Sequence, residues 1–170
     1  AKVLALAEPL PTVTLGLLEC LGLPVARDVT ALLPVPTFTN SAMDGYAVRS
    51  ADVASAPVRL EVTADIPAGT SPGLRVRPGQ AHRIMTGAPL PVGADAVVPV
   101  ELTDQRAGAH PLPRHVTIHQ PEPAGANVRT EGEDVSVGAT VIEAGVIADA
   151  AVLAAAAAVG HSELLVRPRP

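Results

Sequence analysis

The stretch Phe38-Thr39-Asn40-Ser41-Ala42-Met43-Asp44-Gly45-Tyr46-Ala47-Val48-Arg49 contains both aromatic side chains of a chain of 170 residues. Phe38 is its only Phe, Tyr46 is its only Tyr, and Trp is absent. The remaining apolar residues are mostly Ala, Val and Leu, so two aromatics on either side of Ser-Ala-Met-Asp-Gly serve a local purpose. Two interpretations follow, namely local packing and a shaped site around Asp44.

The composition indicates a folded chain made of short elements. Hydrophobic residues make up 48% and charged residues 17% of the sequence, which argues against disorder. The 18 Pro and 14 Gly residues are spread along the chain, and they favour strands and turns over long helices. We therefore predict a mixed α+β fold that is rich in β-structure.

Charge and hydropathy exclude several classes of partner. The formal net charge of −5 and the scarcity of aromatics argue against nucleic-acid binding. The longest apolar run, Ala150 to Val159, is far shorter than the ~20 residues that cross a bilayer, so no membrane partner is expected. No signal sequence opens the chain, which predicts a cytoplasmic protein. Cys20 stands alone, which excludes an internal disulfide and favours a buried, unreactive thiol.

Alternating apolar runs between turn residues predict a β-domain between about Ser50 and Pro123. The spacing of these short runs favours a small antiparallel domain, either a barrel or a compact sheet. We expect its strands to be joined as hairpins and not to run parallel. The predicted strands of the whole chain are Thr12–Leu15, Pro24–Val29, Val58–Ala64, Gln80–Met85, Asp95–Val100, His115–His119 and Leu164–Val166, with a strand and turn at Gly138–Val146.

Two helices are predicted outside this β-domain. Ala1 to Glu8 is typical of the end of a helix that Pro9 stops. Asp149 is a suitable N-cap for a helix from Ala150 to Val159, and Gly160 occupies the position where a left-handed residue often ends a helix.

Three glycine-containing segments carry the candidate chemistry: Ser41–Gly45, Met85–Pro89 and Asn127–Asp134. Each segment also has an ordinary interpretation as a turn, a cap or a strand end. Together they supply carboxylates, a hydroxyl group, an arginine and backbone amides. Asp44 and Asp134 offer hard oxygens to Mg²⁺, whereas Thr86 and the amides near Gly87 can face anionic oxygens.

An anionic substrate beside these carboxylates requires a positive charge or a proton between them. Two like charges ~4 Å apart repel by about 4 kcal/mol at an effective dielectric of 20. We therefore predict a site that depends on a divalent cation, with Arg129 as a further source of positive charge. His115 and His119 share one face of a predicted strand, but no third ligand is evident, so a solvated face is the default interpretation.

The same segments, in the same order, resemble a known family. Pro36–Arg49, Arg83–Val98, and Asn127-Val128-Arg129 followed by Gly132-Glu133-Asp134 are similar to the N-terminal region of the MoeA family, the molybdopterin molybdenumtransferases related to the gephyrin E domain. The resemblance covers nearly the whole chain. It implies an enzyme that inserts molybdate into adenylated molybdopterin and releases AMP with the help of Mg²⁺.

The resemblance also implies an architecture and partners. It implies an elongated split first domain, 1–49 and 124–170, with the β-domain 50–123 inserted into it. The family's pterin-binding α/β domain and C-terminal β-domain are absent, so we expect a fragment that is inactive alone. The implied partners are a second copy in a homodimer and the molybdopterin adenylyltransferase.

By motif match, the resemblance assigns roles to individual residues. Asp44, Thr86 and Asp134 are the expected catalytic contributions of this chain, and the two carboxylates are the expected metal ligands. The expected substrate- and cofactor-binding residues are Ser41, Gly45, Gly87 and Arg129.

Two alternatives remain open at this stage. The first is a non-catalytic dimerisation or scaffold module, of the kind gephyrin also provides. The second is a β-domain that binds a small molecule or an oxyanion outside this pathway, which predicts that Asp44→Ala leaves cofactor synthesis intact.

Overall fold

The structure is a computed structural model that describes residues 10–70, 73–108 and 110–169. The strands are β1 Val13–Gly16, β2 Val29–Thr30, β3 Asn40–Ser41, β4 Gly45–Val48, β5 Val58–Ile66, β6 Gln80–Ile84, β7 Ala96–Pro99, β8 His115–Ile118, β9 Val128–Arg129, β10 Thr140–Ile142 and β11 Glu163–Val166. The α-helices are α1 Ser50–Val53 and α2 Ala150–Ala158, and 3₁₀ turns lie at Leu17–Cys20 and Val100–Leu102. The prediction of a mixed, β-rich fold is confirmed.

The chain divides into two units, the first formed by Ala1–Thr37 and Gly132–Pro170 and the second by Phe38–Glu131. These boundaries differ from the predicted ones at 49 and 124. The reason is strand pairing, since β4 lies between β7 and β6 in one sheet and β9 pairs with β3. The identification of the two units with a split first domain and an inserted second domain stays a prediction.

The first unit is built from short antiparallel pairings around one apolar core. β1 pairs with β11, and β2 pairs with β10. The predicted strand Pro24–Val29 is interrupted by bends at residues 26 and 27, which leave isolated bridges at Pro24 and Val25 before β2 begins. The core is made of Cys20, Val25, Val29, Ile142, Ala148, Leu153, Ala156, Leu164 and Val166.

Cys20 and helix α2 follow the sequence-based expectations. Burial of the Cys20 thiol is complete and raises its pKa, which keeps it protonated and unreactive. The Asp149 carboxylate accepts a hydrogen bond from the Val152 amide at 2.9 Å and caps α2. Gly160 has a φ of 97° just after the helix. The helix predicted at Ala1–Glu8 lies outside the described residues.

The second unit contains a five-stranded sheet in the order β7-β4-β6-β5-β8. Three of its pairings are antiparallel, as predicted, but β5 pairs with β6 in parallel. The expectation of hairpins alone is therefore wrong at this pairing, because β6 begins opposite Glu61 and then runs in the same direction as β5. The sheet is mixed.

A register shift in β5 changes which face of the sheet its residues occupy. The pairing with β6 steps from Val62↔Ala81 to Ala64↔His82, so one residue of β5 is left over. Such a bulge reverses the facing of every residue that follows it. Val62 accordingly packs in the same core as Tyr46, whereas Ile66 packs in the core on the other face.

Among the helices of the described ranges, none is long and apolar enough to cross a membrane.

Candidate functional site

Asp44 lies at the end of a turn that Ser41 shapes. The Ser41 hydroxyl donates to the Met43 carbonyl at 2.6 Å and accepts from the Met43 amide at 3.3 Å. Ser41 itself is 1% exposed, so this local pairing replaces water for a buried hydroxyl. The turn therefore presents Asp44 at the start of β4 in a defined position.

Thr86 fixes the Asp44 carboxylate. Its amide and its hydroxyl both donate to Asp44 Oδ1, at 2.7 and 2.6 Å, across 42 residues of sequence. The hydroxyl, followed by the amide, lowers the pKa of Asp44. Asp44 is therefore an ionised carboxylate near pH 7. Both of these hydrogen bonds end on Oδ1.

Backbone hydrogen bonds tie the two motifs together. The Gly87 amide donates to the Ser41 carbonyl at 2.8 Å, and the Ser41 amide donates to the Ala88 carbonyl at 3.0 Å. The Ala88 amide donates to the Met85 carbonyl. The amides of residues 86 to 88 are thus all used inside the protein. The prediction that the amides near Gly87 can face anionic oxygens stays a prediction.

Gly45 has a steric role that the sequence did not reveal. It lies in β4 opposite Pro99 and Ile84. A Cβ atom at this position would overlap the Val98 backbone carbonyl. Gly45 is therefore required for close strand approach next to Asp44.

The two aromatics of the opening motif have unequal surroundings. Tyr46 is 1% exposed and belongs to the core of the second unit, whereas Phe38 is 38% exposed. Local packing therefore accounts for Tyr46, while Phe38 lies at the surface.

Arg129 lies in the second unit, on β9. This strand pairs with β3, so that Arg129 lies opposite Asn40. Six predicted site residues thus belong to the second unit: Ser41, Asp44, Gly45, Thr86, Gly87 and Arg129. Asp134 belongs to the first unit, where its amide donates to the Val35 carbonyl at 3.0 Å. Its predicted role as a metal ligand stays a prediction.

The donor set is compatible with Mg²⁺ held mainly by a substrate. Within residues 10–70, 73–108 and 110–169, no three side chains of His, Cys, Asp or Glu form a metal-binding group. Mg²⁺ commonly binds one or two carboxylates together with substrate phosphates and water, so an ionised Asp44 fits that mode. His115 and His119 are both exposed, in line with the default interpretation of a solvated face.

A cavity of about 400 Å³ adjoins Asp44 within the second unit. Its lining includes Tyr46, Asp65, Arg83 and His110, none of which was predicted as a site residue. Arg83 forms an ion pair with Asp65, which keeps the pKa of that carboxyl below its ordinary value. Arg83 could have been suspected from the sequence, because it closely precedes the Met85–Pro89 motif. Its partner Asp65 could not, because the bulge in β5 decides which residue lies opposite Arg83.

The comparisons with known proteins agree with the resemblance. The family described as "MoeA N-terminal region (domain I and II)" matches residues 1–160. The protein named molybdopterin molybdenumtransferase 2 of Mycobacterium tuberculosis is 48% identical over 161 residues, which cover 92% of this chain and 38% of that protein. The molybdopterin molybdenumtransferase of Synechococcus elongatus is 41% identical over the same shares of the two chains.

A solved structure supports the fold. The molybdopterin biosynthesis MoeA protein of Pyrococcus horikoshii superposes with a TM-score of 0.84 at 31% identity, covering 94% of this chain and 42% of that one. The chain thus spans about two fifths of the length of these relatives. The family match, the similar proteins and the shared fold together show that the chain belongs to the MoeA N-terminal region family.

Proposed function

We propose that this chain supplies the N-terminal part of a molybdopterin molybdenumtransferase, which inserts molybdate into adenylated molybdopterin and releases AMP. The observation that carries the proposal is the Asp44 carboxylate, ionised and oriented by two hydrogen bonds from Thr86. Relatives that bear this activity in their names match 92% of the chain. The activity belongs to a longer protein, because the chain covers only 38% of those relatives.

In this proposal Asp44 and Thr86 have different tasks. The Asp44 carboxylate would hold Mg²⁺, and Thr86 keeps that carboxylate in a fixed orientation through its two hydrogen bonds. When bound, Mg²⁺ supplies the positive charge that neutralises the phosphate and its leaving group. Thr86 acts through Asp44, so it is a positioning residue.

The remaining family properties belong to the same proposal. They comprise the contribution of Asp134 and Arg129 to the site, the homodimer, the molybdopterin adenylyltransferase as a partner and the cytoplasmic location. Charge supports the involvement of Arg129, since a phosphate near the Asp44 carboxylate is repelled unless a cation lies close by.

The test uses a chimera in which this chain replaces the matching region of the Mycobacterium tuberculosis relative, at 48% identity. AMP release from adenylated molybdopterin is measured in the presence of molybdate and Mg²⁺. We expect the chimera to release AMP and Asp44→Asn to reduce the rate at least about a hundredfold, as expected when a transition-state electrostatic contact is lost. The chain of 170 residues by itself is expected to release none.

Asp95 offers a matched control for this substitution. Its carboxylate also accepts from one amide and one hydroxyl, those of Ser50, at 2.6 and 2.8 Å. Asp95 does not line the cavity beside Asp44. Asp95→Asn should therefore cost similar stability and leave AMP release unchanged. An active Asp44→Asn chimera would contradict the proposal and favour the dimerisation or scaffold alternative.

A further inference from the structure

A turn at residues 125–127 covers one edge of the five-stranded sheet. β7 is the last strand on this side of the sheet. The Val97 amide on β7 donates to the Ala126 carbonyl at 2.9 Å, and the Gly125 amide donates to the Asp95 carbonyl at 2.7 Å. The turn therefore takes the place that a further strand would occupy beside β7.

Asn127 continues this row of hydrogen bonds with its side chain. Its Nδ2 atom donates to the Val97 carbonyl at 2.9 Å. Val97 is fully buried, so its carbonyl requires a donor from the protein in place of water. The side-chain amide of Asn127 thus supplies a bond that the backbone amide of a neighbouring strand would normally supply, and it attaches residue 127 to the sheet.

The backbone of Asn127 bends at this attachment. Asn127 has a φ of 55°, and the other residues of the described ranges with a positive φ are all glycines. This left-handed conformation is disfavoured for a residue with a Cβ atom, although Asn tolerates it better than most. The bend leads the chain from the edge of the sheet into β9, which carries Arg129.

The same residue also contacts the segment that presents Asp44. The Asn127 carbonyl accepts a hydrogen bond from the Ala42 amide at 2.9 Å. The pairing of β9 with β3 continues from this bond and places Arg129 opposite Asn40. The sheet edge, the segment before Asp44 and the strand of Arg129 therefore meet at Asn127.

We propose that Asn127 is a positioning residue, whose side-chain bond to Val97 keeps Arg129 in a fixed place relative to Asp44. The inference rests on the proposed function, in which Arg129 supplies positive charge to the substrate anion near the Asp44 carboxylate. Asn127 acts through β9 and does not touch the substrate. A displaced guanidinium attracts the anion less strongly, so loss of the Asn127 side chain weakens substrate binding.

Asn127→Gly in the chimera tests this role. Glycine adopts a positive φ without strain, so this variant keeps the bend and removes the side-chain amide. We expect the KM for adenylated molybdopterin to rise about tenfold, the effect of one hydrogen bond, with kcat changed by less than about threefold. A smaller folded fraction would lower kcat and leave KM unchanged. A wild-type KM in Asn127→Gly overturns the proposal.

Gly79→Ala is the matched control for lost stability. Gly79 belongs to the same unit, has a φ of 74° and does not line the cavity beside Asp44. Alanine at this position strains the backbone, so the variant loses stability at a distance from the site. Its KM should equal that of the wild type. A KM raised equally in Gly79→Ala and Asn127→Gly would refute the specific role of Asn127.

A double-mutant cycle tests whether Asn127 acts through Arg129. Arg129→Ala removes the guanidinium that Asn127 is proposed to position. Adding Asn127→Gly to Arg129→Ala should therefore raise KM by no more than about twofold further, because coupled residues are not additive. The full tenfold increase in both backgrounds would show that Asn127 does not act through Arg129, and the proposal fails.

Hydrogen exchange in the chain of 170 residues gives a readout that is independent of activity. The Ala42 amide, which donates to the Asn127 carbonyl, should exchange about tenfold faster in Asn127→Gly. The Ala148 amide donates to the Leu23 carbonyl in the first unit and should exchange as in the wild type. Unchanged exchange of the Ala42 amide contradicts the attachment of β9 by Asn127.

The inference and the proposed function fail in different experiments. A chimera whose AMP release depends on Asp44, with a KM that Asn127→Gly leaves unchanged, overturns the inference about Asn127 alone. Faster exchange of the Ala42 amide in Asn127→Gly, together with a chimera that is indifferent to Asp44→Asn, overturns the proposed function and retains the attachment of β9.

Discussion

Thr86 donates two hydrogen bonds to a single oxygen of Asp44, one from its amide and one from its hydroxyl, at 2.7 and 2.6 Å. Two donors on one oxygen stabilise the ionised form of the carboxylate. This relationship links the Ser-Ala-Met-Asp-Gly turn to the Met-Thr-Gly-Ala-Pro segment, 42 residues away.

The first prediction concerns the protonation of Asp44. Thr86→Val removes the hydroxyl donor and keeps the amide, so the pKa of Asp44 should rise toward its ordinary value of 3.8. A carboxyl with a lowered pKa stabilises the fold above its unfolded pKa, and that contribution is lost as the pH falls through the folded value. The variant should therefore lose less stability on acidification below pH ~4 than the wild type does. A ¹³C NMR titration of the Asp44 carboxyl measures the shift.

Ser50→Ala is the control for this prediction. It removes the equivalent hydroxyl donor at Asp95 and should leave the Asp44 titration unchanged. An Asp44 pKa that is the same in Thr86→Val and in the wild type would contradict the assigned role of the hydroxyl.

The second prediction concerns His82. Its side chain is 3% exposed, Nδ1 lacks a partner among the described residues, and burial lowers its pKa. Below its ordinary pKa of 6.5 the unfolded chain binds a proton that the folded chain resists, so stability falls as the pH falls from 7 to 5. His82→Leu should reduce this pH dependence of the free energy of unfolding by about 1.4 kcal/mol per pH unit at most. Urea unfolding at several pH values measures the slope.

The matched control replaces an exposed histidine. His115→Leu should keep the pH slope of the wild type, because His115 is exposed. If His82→Leu and the wild type share the same slope between pH 7 and 5, the buried imidazole is not the source of the dependence.

The third prediction concerns the hydroxyl of Tyr46. Without ligand, Tyr46→Phe removes a buried group that has no described partner, and the free energy of unfolding should rise by about 1 kcal/mol. Thr103→Val should have the opposite effect, because the buried Thr103 hydroxyl donates to the Val100 carbonyl at 2.8 Å. Denaturant unfolding of both variants measures the two changes in the free energy of unfolding. A Tyr46→Phe variant less stable than the wild type would contradict the prediction and indicate that the hydroxyl has a hydrogen-bond partner.

The fourth prediction concerns Gly45. Gly45→Ala places a methyl group against the Val98 carbonyl between two paired strands and should destabilise the protein by about 3 kcal/mol. Gly79→Ala is the comparison, since Gly79 has a φ of 74° and open space around it. Its cost should be about 1 kcal/mol, from backbone conformation alone. Thermal unfolding ranks the two variants, and equal losses would refute the steric explanation.

Much of the secondary structure could be predicted from local patterns. The strands at Val58–Ile66 and Gln80–Ile84 follow from alternating apolar residues, and α2 follows from its Asp149 cap and Gly160. The predicted strand at Pro24–Val29 was wrong in extent, because a propensity pattern does not show whether a partner strand lies within reach.

The site was predicted in part. The sequence grouped Asp44 with Thr86, and the two are hydrogen-bonded, but it did not reveal that the Gly87 amide donates to the Ser41 carbonyl. Backbone donors carry no sequence signature, so their partners emerge only once the chain is folded.

The sequence alone determined the family, the β-rich class and the residues of the opening motif, because these depend on residue identity and short-range spacing. Tertiary structure alone decided that β5 and β6 run parallel and that a bulge in β5 brings Asp65 opposite Arg83. A one-residue register shift leaves the sequence pattern nearly unchanged and yet moves every later side chain to the other face of the sheet. The ion pair that lines the cavity beside Asp44 depends on this shift.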